Sequence, residues 1–294
     1  MMKRVVVIGG DKREITVARR MLEAGYAVSA FALPAAALPD SVQLAADRDA
    51  LRQALREADA CVLPMPPLRD DARLYSMEEQ DVYLDDAIFA DAPAGMPIFT
   101  GIVTPYLNCI APQCVAIGLL ENESIALPLA EATAEGAIAE AIRLSDGMLY
   151  GERALIIGYG RIGKALAWRL DALGMEVVVL NRSDSRAELA RDYGFTVGDW
   201  SQLTAVAAQC AYIFNTAPAL LLTRKQLQWL RPDALVVDLA ANPGGTDFNA
   251  AAELGVKAVL AGGLPGKYAP RCAGEVMASV YLERLRILLG EEES

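Results

Sequence analysis

The apolar run Leu155-Ile156-Ile157 enters Gly158-Tyr159-Gly160-Arg161-Ile162-Gly163, and a stretch of helical periodicity follows at once. A glycine fingerprint with a strand before it and a helix after it constrains the fold more than any other feature of the chain. Gly158 permits a tight turn, Gly160 lets a pyrophosphate approach the backbone, and Gly163 lets the helix pack closely on the strand. The opening N–H groups of that helix, from Arg161 and Ile162, then point at phosphate oxygens. The expectation is a dinucleotide-binding α/β domain. Its next strand, Val177 to Leu180, ends at Asn181-Arg182-Ser183. NAD sites place a carboxylate near here for the ribose hydroxyls. None stands at Asn181 or Arg182, and Arg182 with Ser183 suits a 2′-phosphate. NADP is therefore expected, with NAD and a merely solvated Arg182 as the alternative.

The same strand–turn–helix alternation runs through nearly the whole chain, which predicts parallel sheets covered by helices on both faces. Strands are expected at 4–8, 26–31, 59–63, 97–100, 115–119, 153–157, 176–180, 211–214, 235–239 and 257–260. Helices are expected near 12–24, 48–57, 78–88, 161–173, 184–193, 223–229 and 247–254. Two longer helices, 131–146 and 272–289, read as crossings between domains, by analogy with two-domain dehydrogenases. At 294 residues, two doubly wound Rossmann-like domains are expected, with a cleft between them. Their bounds are read as 1–130 plus 272–294 for a substrate domain and 131–271 for the cofactor domain. The first domain opens with Val5 to Ile8 and Gly9-Gly10-Asp11-Lys12-Arg13, with no further glycine before Gly25. It lacks the third glycine, so it reads as a tight turn whose N–H groups and cation suit a carboxylate.

The formal charge of −11 argues against a nucleic-acid surface. Met1 to Arg4 leads straight into a strand, so no targeting signal is expected, and no apolar run is long enough for a membrane span. The five cysteines form no CxxC pair and read as free, mostly buried thiols in a reducing cytoplasm. Cys272 in particular reads as a packing residue. The last residues, 291–294, read as a solvated tail.

There is no histidine. That excludes Ser-His-Asp and Cys-His nucleophile systems, His-built zinc sites, and the His relay of many 2-hydroxy-acid dehydrogenases. Ligands of open α/β sheets bind beyond the carboxyl ends of the strands, so the loops there are the candidates. They are Gly9 to Arg13, Pro64 to Pro66, Gly101, Asn215-Thr216-Ala217-Pro218, Asp238 to Asp247 and Gly262 to Lys267. Asn215, Thr216 and Pro218 are read as cofactor contacts beside the nicotinamide ribose. Asp238 is either a turn-stabilising acceptor or a base near the nicotinamide. Thr246-Asp247 reads as a helix start. Glu135 lies on a solvated helix face or in the cleft. Lys267, Tyr268 and Arg271 are an anion clamp or surface residues.

Taken in order, IGGDKRE at the start, FTGIVTPYL from Phe99, TAEG from Thr133, GYGRIG, FNTAP from Phe214, DLAANPGGTDF from Asp238 and GLPGKYAPRCAG from Gly263 resemble the dipicolinate synthase A-subunit family. The resemblance spans nearly the whole chain. Asn242 departs from it, since some relatives carry a basic residue there. It implies a fold similar to formate/glycerate dehydrogenases and NADP-dependent oxidation of a dihydrodipicolinate-type ring, or its hydroxylated tetrahydro precursor, during sporulation. It also implies the mother-cell cytoplasm and a flavoprotein-like B-subunit of dipicolinate synthase as partner. Aromatisation drives such an oxidation without a strong base, so water, a carboxylate (Asp238 or Glu135) or Tyr268 serves as proton acceptor. The dianionic substrate is then gripped by Gly10, Asp11, Arg13 and Gly101 on one side and Lys267 and Arg271 on the other. Two alternatives stay open: another NAD(P)-dependent dehydrogenase of this architecture, and a non-catalytic protein that only binds NADP. Homo-oligomerisation is also open.

Overall fold

The computed structural model describes residues 2–65, 67–68, 72–77 and 81–290. They form two compact units, Met1–Pro128 with Pro270–Ser294, and Leu129–Ala269. The first unit runs β1 (Arg4–Ile8), α1 (Lys12–Glu23), β2 (Ala27–Phe31), β3 (Gln43–Leu44), α2 (Arg48–Arg56), β4 (Ala60–Val62), α3 (Asp86–Phe89), β5 (Pro97–Thr100), α4 (Pro105–Ile110) and β6 (Val115–Gly118). Helix α5 (Glu123–Leu144) carries the chain across at Pro128. The second unit continues with β7 (Arg153–Ile157), α6 (Arg161–Ala172), β8 (Glu176–Leu180), α7 (Asp184–Asp192), β9 (Thr196–Val197), α8 (Leu203–Ala207), β10 (Tyr212–Asn215), α9 (Arg224–Leu227), β11 (Leu235–Asp238), α10 (Phe248–Leu254), β12 (Lys257–Leu260) and α11 (Leu264–Tyr268). Helix α12 (Pro270–Leu289) belongs to the first unit.

Each unit is one parallel sheet of six strands, β3-β2-β1-β4-β5-β6 and β12-β11-β10-β7-β8-β9. Both are the same doubly wound order, reversing direction at β1/β4 and β7/β10, where ligands of such sheets sit. The register is regular: Arg4 to Ile8 lie beside Ala27 to Phe31, and Tyr212 to Asn215 beside Ala154 to Ile157. The strands are continuous apolar runs because helices cover both faces, and Val5 to Ile8 and Leu155 to Ile157 are fully buried. Among the described residues no helix is long and apolar enough to cross a membrane, and no group of metal-ligating side chains is gathered.

Several boundaries differ from the sequence expectation. Helix α5 starts eight residues earlier than expected, because Pro128 inside it does not stop the helix. Buried Ile125, Ala126, Leu129 and Ala130 hold the turns on either side of Pro128. Of the helix expected at 78–88, residues 78–80 lie outside the described residues, and the later part forms only the short α3. Strands β3 and β9 have two residues each and too little apolar pattern to be read. Helix α12 packs on α1 so tightly that a Cβ on Gly274 would come within 2.6 Å of Arg13 O and Thr16 Cβ. All five cysteines are free thiols. Cys272 is not a packing residue: the first turn of α12 turns it outward, and Cys109 is exposed as well.

Candidate functional site

In the second unit the β7–α6 turn is built for an anion. Gly158 adopts φ +97, a conformation open to glycine and strained for other residues. A Cβ on Gly158 would strike Thr216 Oγ1, and one on Gly163 would strike Gly158 O. A Cβ on Gly160 would instead meet only Arg186 Nη1, at 3.8 Å, so the space in front of this backbone is open. Gly160 is also the N-cap of α6 and offers no side chain to its N–H groups. Helices α1, α2, α3, α4, α9 and α10 all have Asp or Thr caps that accept from their own first turn. Helix α6 therefore leaves its positive end for a ligand. These residues fit the pyrophosphate of a dinucleotide.

At the end of β8, Arg182 stacks on Trp200, its guanidinium carbon 5.4 Å from the ring centroid. Ser183 caps α7 without a side-chain bond to its N–H groups and shares a 2.9 Å hydrogen bond with Ser185. Asn181 Nδ2 is shielded from solvent and has no hydrogen-bond partner. Arg186, which the sequence reading missed, extends toward Gly160 from one turn beyond Arg182. Its signal was present: Arg186 lies in the first turn of the helix that Asn181-Arg182-Ser183 leads into.

The loops after β10 and β11 are one hydrogen-bonded unit. Asn215 is fully buried and donates to Asp238 Oδ1 (3.0 Å) and Ala217 O, while its own carbonyl accepts from Ala217 N. Asp238 is also fully buried. Its Oδ1 accepts a second bond, from Ala240 N, and its Oδ2 accepts from Gly245 N (2.8 Å) and Thr246 Oγ1 (2.6 Å). Both oxygens are filled. In this arrangement Asp238 is an acceptor for the loops around it. Asn215 likewise holds its own loop, and the groups it presents outward are Thr216 and the exposed Pro218.

A second carboxylate with filled oxygens lies on α5. Glu140 is buried, its Oε1 accepting from Lys267 Nζ and from Tyr268 Oη (2.9 Å), and its Oε2 from Arg143 Nε (3.0 Å) and Nη2 (2.5 Å). Burial alone would raise its pKa, but the bonds from Lys267, Arg143 and Tyr268 outweigh that and hold it down to about 2. Tyr268 therefore belongs with Glu140. Glu135, the carboxylate singled out from the sequence, is exposed and pairs with Arg169 at 3.2 Å. Asp238, Glu135 and Tyr268 thus have three separate sets of partners.

In the first unit the β1–α1 turn is closed upon itself. Asp11 caps α1 and takes both Arg13 Nε and Nη2 at 2.9 Å. Arg13 Nη2 also donates to Met65 O, and Tyr75 Oη donates to Asp11. Glu14 returns its Oε2 to Asp11 N (2.8 Å). Gly9 and Gly10 N–H are taken by Phe31 O and Tyr75 O, and Leu74 lies where a Cβ on Gly9 would be. The donors expected to face a carboxylate are engaged internally, and Arg13, 3% exposed, is a strut rather than an open cation. Gly101 is buried under Met65. Arg271 is exposed on the first turn of α12.

Comparison with known proteins matches residues 4–117 to the family of the dipicolinate synthase A-subunit N-terminal domain, and 127–242 to "D-isomer specific 2-hydroxyacid dehydrogenase, NAD binding domain". The chain is 31% identical to the dipicolinate synthase A-subunit of Bacillus subtilis over 98% of both. The crystal structure of the corresponding protein from Bacillus halodurans superposes with a TM-score of 0.86 at 28% identity, covering 96% of this chain and 97% of that one. The Bacillus subtilis crystal structure gives 0.85 at 29% identity, covering 99% and 98%.

Proposed function

The chain belongs to the dipicolinate synthase A-subunit family and is an NAD(P)-dependent oxidoreductase, and from that premise we propose that it oxidises a dihydrodipicolinate-type ring to pyridine-2,6-dicarboxylate with NADP. The hydroxylated tetrahydro form is the other candidate substrate. The carrying observation is the uncapped, open turn at Gly160 with Arg186 reaching toward it, Arg182 at the end of β8 and no carboxylate at Asn181. Asp184 opens α7, so the two cations outweigh one acid there.

A bound nicotinamide supplies the hydride acceptor. The chain's own groups bind and orient. The N–H groups of Arg161, Ile162 and Gly163 would hold the pyrophosphate, with Gly158 and Gly160 shaping the turn. Asn181, Arg182, Ser183 and Arg186 would hold the adenosine ribose and its 2′-phosphate. Thr216 and Pro218 would meet the nicotinamide half, on a loop held rigid by Asn215 and Asp238. The ring loses a proton as it aromatises, and no histidine is needed to drive that step. The proton passes to water, since the Tyr268 hydroxyl beside Lys267 already donates to Glu140. Lys267 and Arg271 attract the dianion, and the first-unit turn at Gly10, Asp11 and Arg13, with Gly101, supports the shape of its own strand ends. By family, the partner is the flavoprotein-like B-subunit of dipicolinate synthase, and the setting is the mother cell of a sporulating bacterium.

The test is to supply purified chain with dihydrodipicolinate and NADP+, by itself and with the B-subunit. Pyridine absorbance should rise together with NADPH, and KM for NADP+ should lie at least about tenfold below that for NAD+, or about 1.4 kcal/mol of discrimination. No product in either mixture overturns the substrate reading. Equal KM values overturn the NADP reading.

A further inference from the structure

Two sequence stretches that the cofactor does not use, TAEG and GLPGKY, meet at one corner of the second unit. Gly136, the last residue of the first stretch, lies against α11: a Cβ there would come within 2.8 Å of Leu264 Cβ and 3.0 Å of Tyr268 Cδ2. One turn further along α5, Glu140 holds Lys267 and Tyr268 of the same short helix, together with Arg143. Glu140 sits in a helix face otherwise made of Ala134, Ala137 and Ala141, all fully buried. A carboxylate there needs a reason, because a buried ion pair adds little stability over an apolar pair of the same shape.

The charge count supplies one. Two cations share one carboxylate, so the corner keeps one surplus positive charge in a chain of net −11. The surplus faces water: the Lys267 and Arg143 side chains are 53% and 56% exposed, while that of Glu140 is 4% exposed. An ammonium has three donors, and Glu140 takes one from Lys267. Lys267 also lies over the Tyr268 ring, 5.1 Å from its centroid. The cations are thus fixed in place and still open outward.

We propose that Arg143 and Lys267 form a carboxylate-binding subsite, with Glu140 as the positioning residue that holds them, Tyr268 as a wall that packs under Lys267, and Gly136 as the seat that lets α11 approach. It takes one carboxylate of the ring dicarboxylate, and in this it rests on the substrate reading above. Arg143, Glu140 and Gly136 are the residues it adds. Charge-assisted bonds to a carboxylate from two fixed cations are the strong kind.

The experiment measures binding of pyridine-2,6-dicarboxylate to the full chain by calorimetry, with NADP+ binding and the tryptophan-fluorescence unfolding midpoint as controls. Lys267→Met and Arg143→Met should each weaken the dicarboxylate about tenfold and leave NADP+ affinity unchanged. Lys267→Arg, which keeps the charge, should stay within about threefold of wild type. Glu140→Gln separates positioning from charge. It makes the corner more positive, so a pure charge effect would tighten binding, whereas loss of positioning weakens it about threefold or more. The subsite is overturned if both methionine variants bind within about twofold of wild type, or if Glu140→Gln binds more tightly. No binding by wild type overturns the substrate reading, and the subsite with it.

Discussion

Replacing Asp238 by Asn tests whether this buried carboxylate shapes the site or performs its chemistry. Asn offers one acceptor oxygen and one amide donor where the native residue offers two acceptors, each already taking two bonds. The least damaging rotamer turns Nδ2 toward Thr246, whose hydroxyl can rotate to accept, and leaves Gly245 N without a partner. A stranded buried donor costs about 1–3 kcal/mol, and loss of charge assistance from the remaining bonds adds to it. The expected destabilisation is about 2–4 kcal/mol, or on the order of 10 °C in the midpoint of a unit this size. All three tryptophans, Trp168, Trp200 and Trp229, lie in the second unit, so their fluorescence reports its unfolding selectively. Below the new midpoint, the variant should retain turnover with an unshifted pH profile. A variant as stable as wild type but catalytically dead would refute the acceptor reading and restore Asp238 as a base.

The first unit gives two further expectations. Arg13→Met strands the Asp11 carboxylate inside a closed turn and should cost about 3–5 kcal/mol in urea unfolding of that unit, with NADP+ affinity untouched; unchanged stability would show that Arg13 is not a strut. Burial raises Glu14 to about 7, with Arg13 opposing and Asp11 reinforcing the shift. The folded chain therefore keeps a proton that the unfolded chain gives up near its ordinary value. Stability falls as pH rises from about 4.5 through 7, and the loss is complete above that. Glu14→Gln should remove this slope and be about 1–3 kcal/mol more stable than wild type near pH 8, with a smaller difference near pH 5. Equal urea midpoints for the two proteins near pH 8 would contradict it.

The parts of the fold that were readable are those where burial writes a pattern. Strands covered on both faces must be apolar throughout, and β1, β5, β7, β8 and β12 fall at the expected residues. The two-residue edge strands carry no such pattern. The first turns of α5 were obscured because Pro128 reads as a breaker, while the residues around it are held by burial that no local rule reveals. The site divides the same way. The glycine fingerprint and the end of β8 are local in sequence. Glu140 is not: its partners Lys267 and Tyr268 lie more than a hundred residues away. Its one local sign was a carboxylate amid small apolar residues at helical spacing, the kind of buried polar position that calls for an explanation.

The two units also show how little separates a cofactor turn from a closed one. Each has a strand ending in isoleucine, Ile8 or Ile157, followed by a glycine at positive φ, Gly9 or Gly158. Each starts its helix three residues after that glycine, at Lys12 or Arg161. The N-cap is Asp11 in one and Gly160 in the other. Three positions on, the third glycine of the fingerprint, Gly163, has Glu14 as its counterpart. Asp11 and Glu14 complete a reciprocal capping box, so the helix end already has its carboxyl partners and Leu74 closes over the turn. Gly160 and Gly163 have no side chains to do this, and the same helix end is left to attract a phosphate. Two carboxylates in place of two glycines thus turn an anion site into a self-satisfied corner, and the cofactor is assigned to one unit by what its helix lacks.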